Sequence, residues 1–127
     1  MNINPKKLLP SQDFLKPGTI AYIKTCINEG KEDELPPDPI VRKNGEGLYV
    51  VIDGHNLAAV MTRLGRTMEV VEATTSGDYA ANESQASQTR AAELRKKFDS
   101  CLEEQQRVAL QGIRSFNDLL EKYPTNS

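Results

Sequence analysis

Asp53 and His55 are the side chains of this sequence whose types and spacing could carry chemistry. They flank Gly54, directly after the β-rich run of residues 49–52 and before Asn56. A carboxylate at this place could hold Mg²⁺ or accept a proton, and an imidazole could contact a phosphate or a ribose. We therefore take Asp53 and His55 as candidate catalytic residues and Asp53 as the candidate metal ligand. Three structural alternatives stay open: Asp53 caps the next helix, His55 forms a structural hydrogen bond, and Asn56 is an N-cap.

A strand followed by a tight turn and a helix must position these side chains. The run before Asp53 favours a strand, residues 57–64 carry apolar side chains at helical spacing, and Gly65 is a helix stop. This pattern argues against the alternative, a hairpin turn at Asp-Gly. The N–H groups that begin such a helix point outward with partial positive charge. The backbone of Gly54, His55, Asn56 and Leu57 is therefore a candidate binding site for an anion.

The rest of the sequence predicts an α+β domain followed by a helical extension. The predicted elements are a strand at 1–4, a connector at 7–12, a helix at 17–29, hairpin strands at 39–43 and 48–52, a helix at 56–64, a strand at 67–73, and helices at 86–110 and 116–123. A small, polar stretch at 74–87 suggests a linker, which gives domains 1–75 and 76–127. The apolar face of the long helix must be buried against the first domain or a second copy.

Composition limits the classes of function. The chain has 127 residues and a net charge of −2, with no basic half. Tight DNA binding relies on clustered lysine and arginine, so we expect DNA contact to be weak or to depend on a partner. Cys26 and Cys101 belong to no metal-binding pattern and are expected to be reduced and packed on apolar helix faces. Without an apolar run long enough for a membrane span or a signal peptide, a soluble cytoplasmic protein is expected.

The element order and one short motif resemble the ParB/sulfiredoxin superfamily, above all its small members with an Asp-Gly-His signature. The resemblance covers about residues 1–73. It is carried by Pro39-Ile40-Val41-Arg42, by Val50-Val51-Ile52-Asp53-Gly54-His55, and by Gly65-Arg66-Thr67-Met68-Glu69-Val70-Val71. The family includes CTP-dependent DNA partition clamps, free-serine kinases, sulfiredoxin and proteins described as ParB-like nucleases.

The resemblance implies a small mixed sheet with packed helices, in which the turn after the central strand holds nucleotide phosphates. It implies ATP, ADP or CTP with Mg²⁺ as the ligand, bound through Gly54, His55, Asn56 and Leu57, with the metal at Asp53. This sequence departs from the family in several ways. Kinase-like members have a second histidine and an arginine where Asn56 and Leu57 stand, and sulfiredoxin has its catalytic cysteine where His55 is. The clamps have Glu-Arg-Arg after the glycine.

The leucine at position 57 weakens the case for catalysis. Arginine offers a fork of charged donors to phosphate, and its loss removes bonds of about 1.5–3 kcal/mol each. Gln12 also stands where kinase-like relatives carry an acidic catalytic residue, and an amide is no base. Asp13, beside it, is a weaker substitute.

Three hypotheses follow. The first is a nucleotide- or phosphate-binding domain with weak or no turnover, an interaction or regulatory module in which residues 86–123 bind a partner or form a homodimer. The second is a nucleotide-dependent small-molecule kinase or nucleotide hydrolase. The third is a DNA-associated partition or nuclease-like accessory protein.

Overall fold

The chain forms a mixed α+β structure, as predicted, and ends in two helices. The computed structural model describes residues 1–74 and 85–123, and side chains in the second range from residue 90 onward. The elements are β1 (Asn2–Ile3), β2 (Leu8–Leu9), α1 (Pro17–Asn28), β3 (Ile40–Lys43), β4 (Tyr49–Asp53), α2 (His55–Leu64), β5 (Met68–Glu69), β6 (Val71–Glu72), α3 (Gln85–Leu110) and α4 (Phe116–Lys122). Single 3₁₀ turns occur at Pro5–Lys7 and Glu32–Glu34.

β4 lies inside a four-stranded mixed sheet with the order β2-β4-β3-β6. β3 and β4 form the predicted antiparallel hairpin, whereas β2 runs parallel to β4 and β6 runs parallel to β3. At the hairpin turn, the side-chain oxygen of Asn44 accepts bonds from the N–H groups of Glu46 and Leu48. This local satisfaction of backbone donors explains why an Asn-Gly segment joins these strands.

Two sequence predictions need correction here. The predicted strand at 67–73 is two strands in different sheets: β5 pairs with β1, whereas β6 pairs with β3. The change of partner falls at Val70, whose N–H donates to the Met1 carbonyl. The segment 7–12, predicted only as a connector, also contains a short strand, because Leu8–Leu9 pair with β4. Tertiary pairing forms such two-residue strands, and local periodicity is too short to reveal them.

The sheet separates two apolar clusters because alternate residues of β4 face opposite sides. On one side, Val51 packs with apolar residues of α1, α2 and α4; on the other, Val50 and Ile52 pack with α3. The long helix therefore buries its apolar face against the N-terminal segment, the first of the two predicted alternatives. The predicted domain boundary at 75/76 marks a change in amino-acid composition. The apolar core extends across it, because Phe116 and Leu119 belong to the same cluster as Val41.

The predicted helices 86–110 and 116–123 agree with α3 and α4 to within one residue. Most of the predicted linker, residues 75–84, lies outside the described residues. Cys26 and Cys101 are free and buried, as predicted. Within residues 1–74 and 85–123, no helix has the length and apolar character needed to cross a membrane.

Candidate functional site

Gly54 makes the turn between β4 and α2. Its φ of 94° and ψ of 27° lie in the left-handed region, which L side chains avoid. A Cβ placed there would lie 2.8 Å from the Cα of Pro39, so a side chain would also collide with the neighbouring backbone. Glycine is therefore required at this position for two reasons: the left-handed backbone conformation and the lack of space for a side chain. It lets the chain pass from strand to helix within a single residue.

The carboxylate of Asp53 contacts two cations of α3. Arg90 forms a close ion pair and hydrogen bond through Nη2 to Oδ2 of Asp53, and Lys97 Nζ lies 3.9 Å from Oδ1. The carboxylate therefore faces α3 instead of capping α2, which begins without a side-chain cap. The expectation that Asp53 caps the helix is wrong because this carboxylate pairs with Arg90 and Lys97 of α3.

His55 is buried, with only 3% of its surface exposed. Its Nε2 accepts a hydrogen bond from the Ser11 N–H at 3.0 Å, which requires that this nitrogen carry no proton. Burial, with a smaller effect from the charge of Lys97, lowers the pKa of His55 from 6.5 to about 3. The Ser11 hydroxyl lies 3.3 Å from the same nitrogen and itself donates to the Val51 carbonyl. The imidazole is thus neutral and connects α2 to the connector before α1.

Asn56 and Leu57 have structural contacts. The side-chain oxygen of Asn56 accepts from the N–H of Lys16 at 2.9 Å, so it binds the start of α1 and is not the N-cap of α2. That cap is Gly54, because α2 begins one residue earlier than the pattern predicted. Leu57 is 5% exposed and packs in the core. Only the backbone of Leu57 is therefore available to a ligand at the turn.

Arg90 and Lys97 bring positive charge to the motif turn, where Leu57 offers no charged donor. They are seven residues apart, about two helical turns, so they share a side of α3. The spacing indicates that the two side chains lie on one side of the helix. It does not indicate which part of the chain they contact. Sequence reasoning missed both residues, as well as Ser11, because their contacts with the turn are long-range.

A metal at Asp53 must compete with these cations. Within residues 1–74 and 85–123, no group of three or more histidine, cysteine, aspartate or glutamate side chains converges as a metal site. Mg²⁺ usually takes one or two carboxylates and completes its shell with water and substrate phosphates. Asp53 alone fits that pattern only when a nucleotide supplies the remaining ligands and Arg90 moves to the phosphates.

A small cavity lies beside the turn, between the connector and α3. Its volume is about 240 Å³, and it is lined by Ser11, Gln12, Phe14, Ile52, Lys97, Ser100, Cys101 and Glu104. Burial raises the pKa of the Cys101 thiol, which therefore stays protonated near neutral pH.

Gln12 donates its side-chain amide to the Phe14 carbonyl, and Asp13 lies 3.6 Å from Arg107. Asp13 thus faces a cation and not the turn.

No model of a protein family matches the sequence, and no curated protein compared with it is significantly similar. The resemblance to the ParB/sulfiredoxin superfamily therefore rests on the motif and on the order of the elements.

Proposed function

We propose that the chain is a ParB-like domain that binds a nucleotide or another phosphate-containing ligand with weak or no turnover. One observation carries this proposal: Arg90 and Lys97 of α3 stand at the Asp53 carboxylate, directly before the first residues of α2. Their charges supply, from a distant part of the chain, the kind of donor that Leu57 lacks. ATP, ADP and CTP are the ligands that the family resemblance suggests.

The ligand would compete with Asp53 for the two cations. A phosphate offers several anionic oxygens to an arginine fork, and the N–H groups at the start of α2 add a dipole effect of about 0.3–2 kcal/mol. A nucleotide arriving with Mg²⁺ would also give the Asp53 carboxylate a new partner as Arg90 turns to the phosphates. Charge stays balanced in this exchange, which avoids leaving a carboxylate without a counterion.

His55 argues against the kinase or hydrolase alternative. A general acid or base works best with a pKa near the operating pH, whereas burial holds the pKa of His55 at about 3. Its Nε2 is also occupied by the Ser11 N–H. Asp53 is the remaining candidate base, and it faces two cations. A binding role fits these contacts better than proton transfer does.

Ligand binding at the turn would be communicated to α3. The contact between Arg90 and Asp53 joins α3 to the end of β4, so a ligand that takes Arg90 changes how α3 is held. This link is the basis for proposing an interaction or regulatory module. A protein partner or second copy would then use the exposed side of residues 86–123.

Direct DNA binding is a weaker proposal at a net charge of −2. A cytoplasmic location, which keeps thiols reduced and supplies nucleotides, belongs to the same proposal.

A thermal-shift panel tests the proposal. The protein is heated with ATP, ADP, CTP, GTP or inorganic phosphate, each with and without Mg²⁺. At a ligand concentration about a hundred times Kd, binding stabilises the folded state by about 2.7 kcal/mol and raises Tm by several degrees. If neither inorganic phosphate nor any of the nucleotides raises Tm, the proposal is wrong.

Matched variants of α3 locate the site. Arg90→Gln and Lys97→Gln should each reduce the nucleotide-induced shift, because each removes a cation at Asp53. Lys96→Gln is the control, since Lys96 is exposed and none of the ion pairs of the described residues includes it. A shift that is equal in all three variants would place the ligand elsewhere. Release of inorganic phosphate from ATP at enzymatic rates would favour the second hypothesis instead.

A further inference from the structure

A wide groove lies along β6, on the part of the sheet farthest from β2. We call it the edge groove. Its volume is about 860 Å³. It is lined by Asn2, Glu32, Leu35, Pro36, Pro37, Asp38, Ile40, Leu57, Met61, Arg66, Thr67, Met68, Glu69, Val71, Glu72 and Ala73. Apolar side chains form much of this lining, and Val71 is 53% exposed although it is a large aliphatic residue.

The charged lining of the edge groove is mostly acidic. Arg66 pairs with Glu32 at 3.1 Å, and the N-terminal amino group pairs with Glu69 at 2.9 Å. The hydrogen bond from that amino group lowers the pKa of Glu69, so this carboxylate is engaged. Within the described residues, neither Asp38 nor Glu72 takes part in an ion pair. The groove therefore offers two exposed carboxylates to a cationic partner.

β6 also presents backbone groups along its outer edge. Among the strands of the described residues, it is the last in the order β2-β4-β3-β6. The N–H groups of Val71 and Ala73 donate to the carbonyls of Pro39 and Val41, each at 2.8 Å. Because backbone groups alternate in direction along a strand, the N–H and carbonyl of Glu72 point away from β3. An exposed strand edge of this kind can pair with an incoming extended peptide.

We propose that the edge groove binds an extended, basic segment of a partner protein, which adds a strand beside β6. The backbone of the segment would pair with Glu72. Its apolar side chains would contact Val71 and the apolar lining, and its lysine or arginine side chains would reach Asp38 and Glu72. Charge complementarity selects this occupant over residues 75–84 of the same chain, which include Asp78 and Glu83 and no basic residue.

The inference does not rest on ligand binding at the motif turn, because the ion pairs of Asp53 are formed with Arg90 and Lys97 and include neither Asp38 nor Glu72. Fluorescence anisotropy with a labelled peptide in which valine and lysine alternate tests it directly. We expect saturable binding that weakens as salt is raised, since the rim charges are exposed. The same peptide with glutamate in place of lysine should not bind. Equal binding of both peptides, or no binding of either, would overturn the proposal.

Variants of the rim test the charge requirement. Asp38→Asn combined with Glu72→Gln should weaken binding of the lysine peptide about fivefold, the effect expected from two exposed charge pairs. Glu46→Gln combined with Asp99→Asn is the matched control, because both residues are exposed and neither lines the groove. An equal loss of affinity in the control would show nonspecific attraction to the whole acidic chain and would contradict the proposed site.

Backbone pairing is tested from the side of the ligand, so that the protein stays unaltered. A lysine–valine peptide N-methylated at alternate residues keeps its side chains but loses the donors along one edge. Of the two N-methylation registers, the one that blocks the β6-facing edge should lose most of the affinity. Unchanged affinity in both registers would exclude strand addition. A concentration-dependent dimer of the chain alone, abolished by the rim variants, would assign the groove to a second copy instead.

Discussion

His55 shows how a residue with catalytic potential acts as a structural support. The imidazole is enclosed between the connector and α4, with its ring centroid 5.8 Å from that of Phe116. Its unprotonated Nε2 accepts from the backbone N–H of Ser11, which is partly buried and therefore needs a partner. A proton on this nitrogen would face that donor and place a charge in an apolar environment, so the folded state resists protonation.

The first prediction concerns acid stability. The pKa of His55 is about 3 in the folded state against an ordinary value of 6.5. Between these pH values the unfolded chain binds a proton that the folded chain does not, so the free energy of unfolding falls as the pH is lowered. The expected contribution is up to about 1.4 kcal/mol per pH unit. Urea unfolding of the protein and of His55→Gln measures it between about pH 6.5 and pH 5. Equal pH slopes in the two proteins would contradict the assignment.

The second prediction concerns Gly54. Gly54→Ala forces a Cβ into the left-handed region and to 2.8 Å from Pro39 Cα. Gly47→Ala is the control, because Gly47 has a φ of 79° and no atom within 4 Å of the added Cβ. The control should lose about 1–2 kcal/mol from conformation alone. Gly54→Ala should lose clearly more in denaturant unfolding, and losses of equal size would show that the close approach of Pro39 has no energetic weight.

At the scale of elements, polar contacts hold α3 on the sheet at two places, one at Asp53 of β4 and one at Arg42 of β3. Arg90 and Lys97 reach Asp53 at the end of β4. Arg42 of β3 donates to the Phe98 carbonyl at 2.8 Å, and its guanidinium lies 4.3 Å from the centre of the Phe98 ring. These contacts surround an apolar interface, so they set the position of α3 while burial supplies most of the stability.

The third prediction measures the contact of α3 with the motif turn. A double-mutant cycle with Asp53→Asn and Arg90→Gln should give a coupling energy of about 0.2–1 kcal/mol, because both side chains are partly exposed. The coupling should shrink as salt is raised. A cycle that pairs Asp53→Asn with Lys96→Gln serves as the control and should give none. Coupling that does not depend on salt would indicate a packing effect instead of an ion pair.

For the whole molecule, the helices after residue 85 complete the core of the segment before residue 75. Val108, Ile113, Phe116 and Leu119 are almost fully buried in the cluster that contains Ile23 and Val41. Phe98 and Cys101 cover the opposite face of β4. A chain without these helices would expose the Val50 and Ile52 face of its sheet to water and would uncover part of the cluster on the Val51 face, where α1 and α2 remain.

The fourth prediction follows from this shared core. A chain of residues 1–75 should lack cooperative unfolding and bind a hydrophobic dye, because truncation uncovers apolar surface on both sides of β4. Addition of a separate chain of residues 85–127 should restore cooperative unfolding, monitored by circular dichroism. Cooperative unfolding of the short chain by itself would support the two-domain division of the sequence.

The sequence by itself determined the local elements. The hairpin 39–52, the turn at Gly54, the stop at Gly65 and both C-terminal helices follow from turn residues and from apolar periodicity, which act over a few neighbouring positions. The α+β class follows from their order.

Tertiary structure decided the contacts that give these residues their roles. The switch of partner between β5 and β6, the burial of His55 against Ser11, and the approach of Arg90 to Asp53 all join parts of the chain that are far apart in sequence. Such contacts depend on how the packed elements are oriented, and residue spacing along the chain carries no information about that orientation. The motif can therefore be recognised locally, while the cations that contact it come from a distant helix.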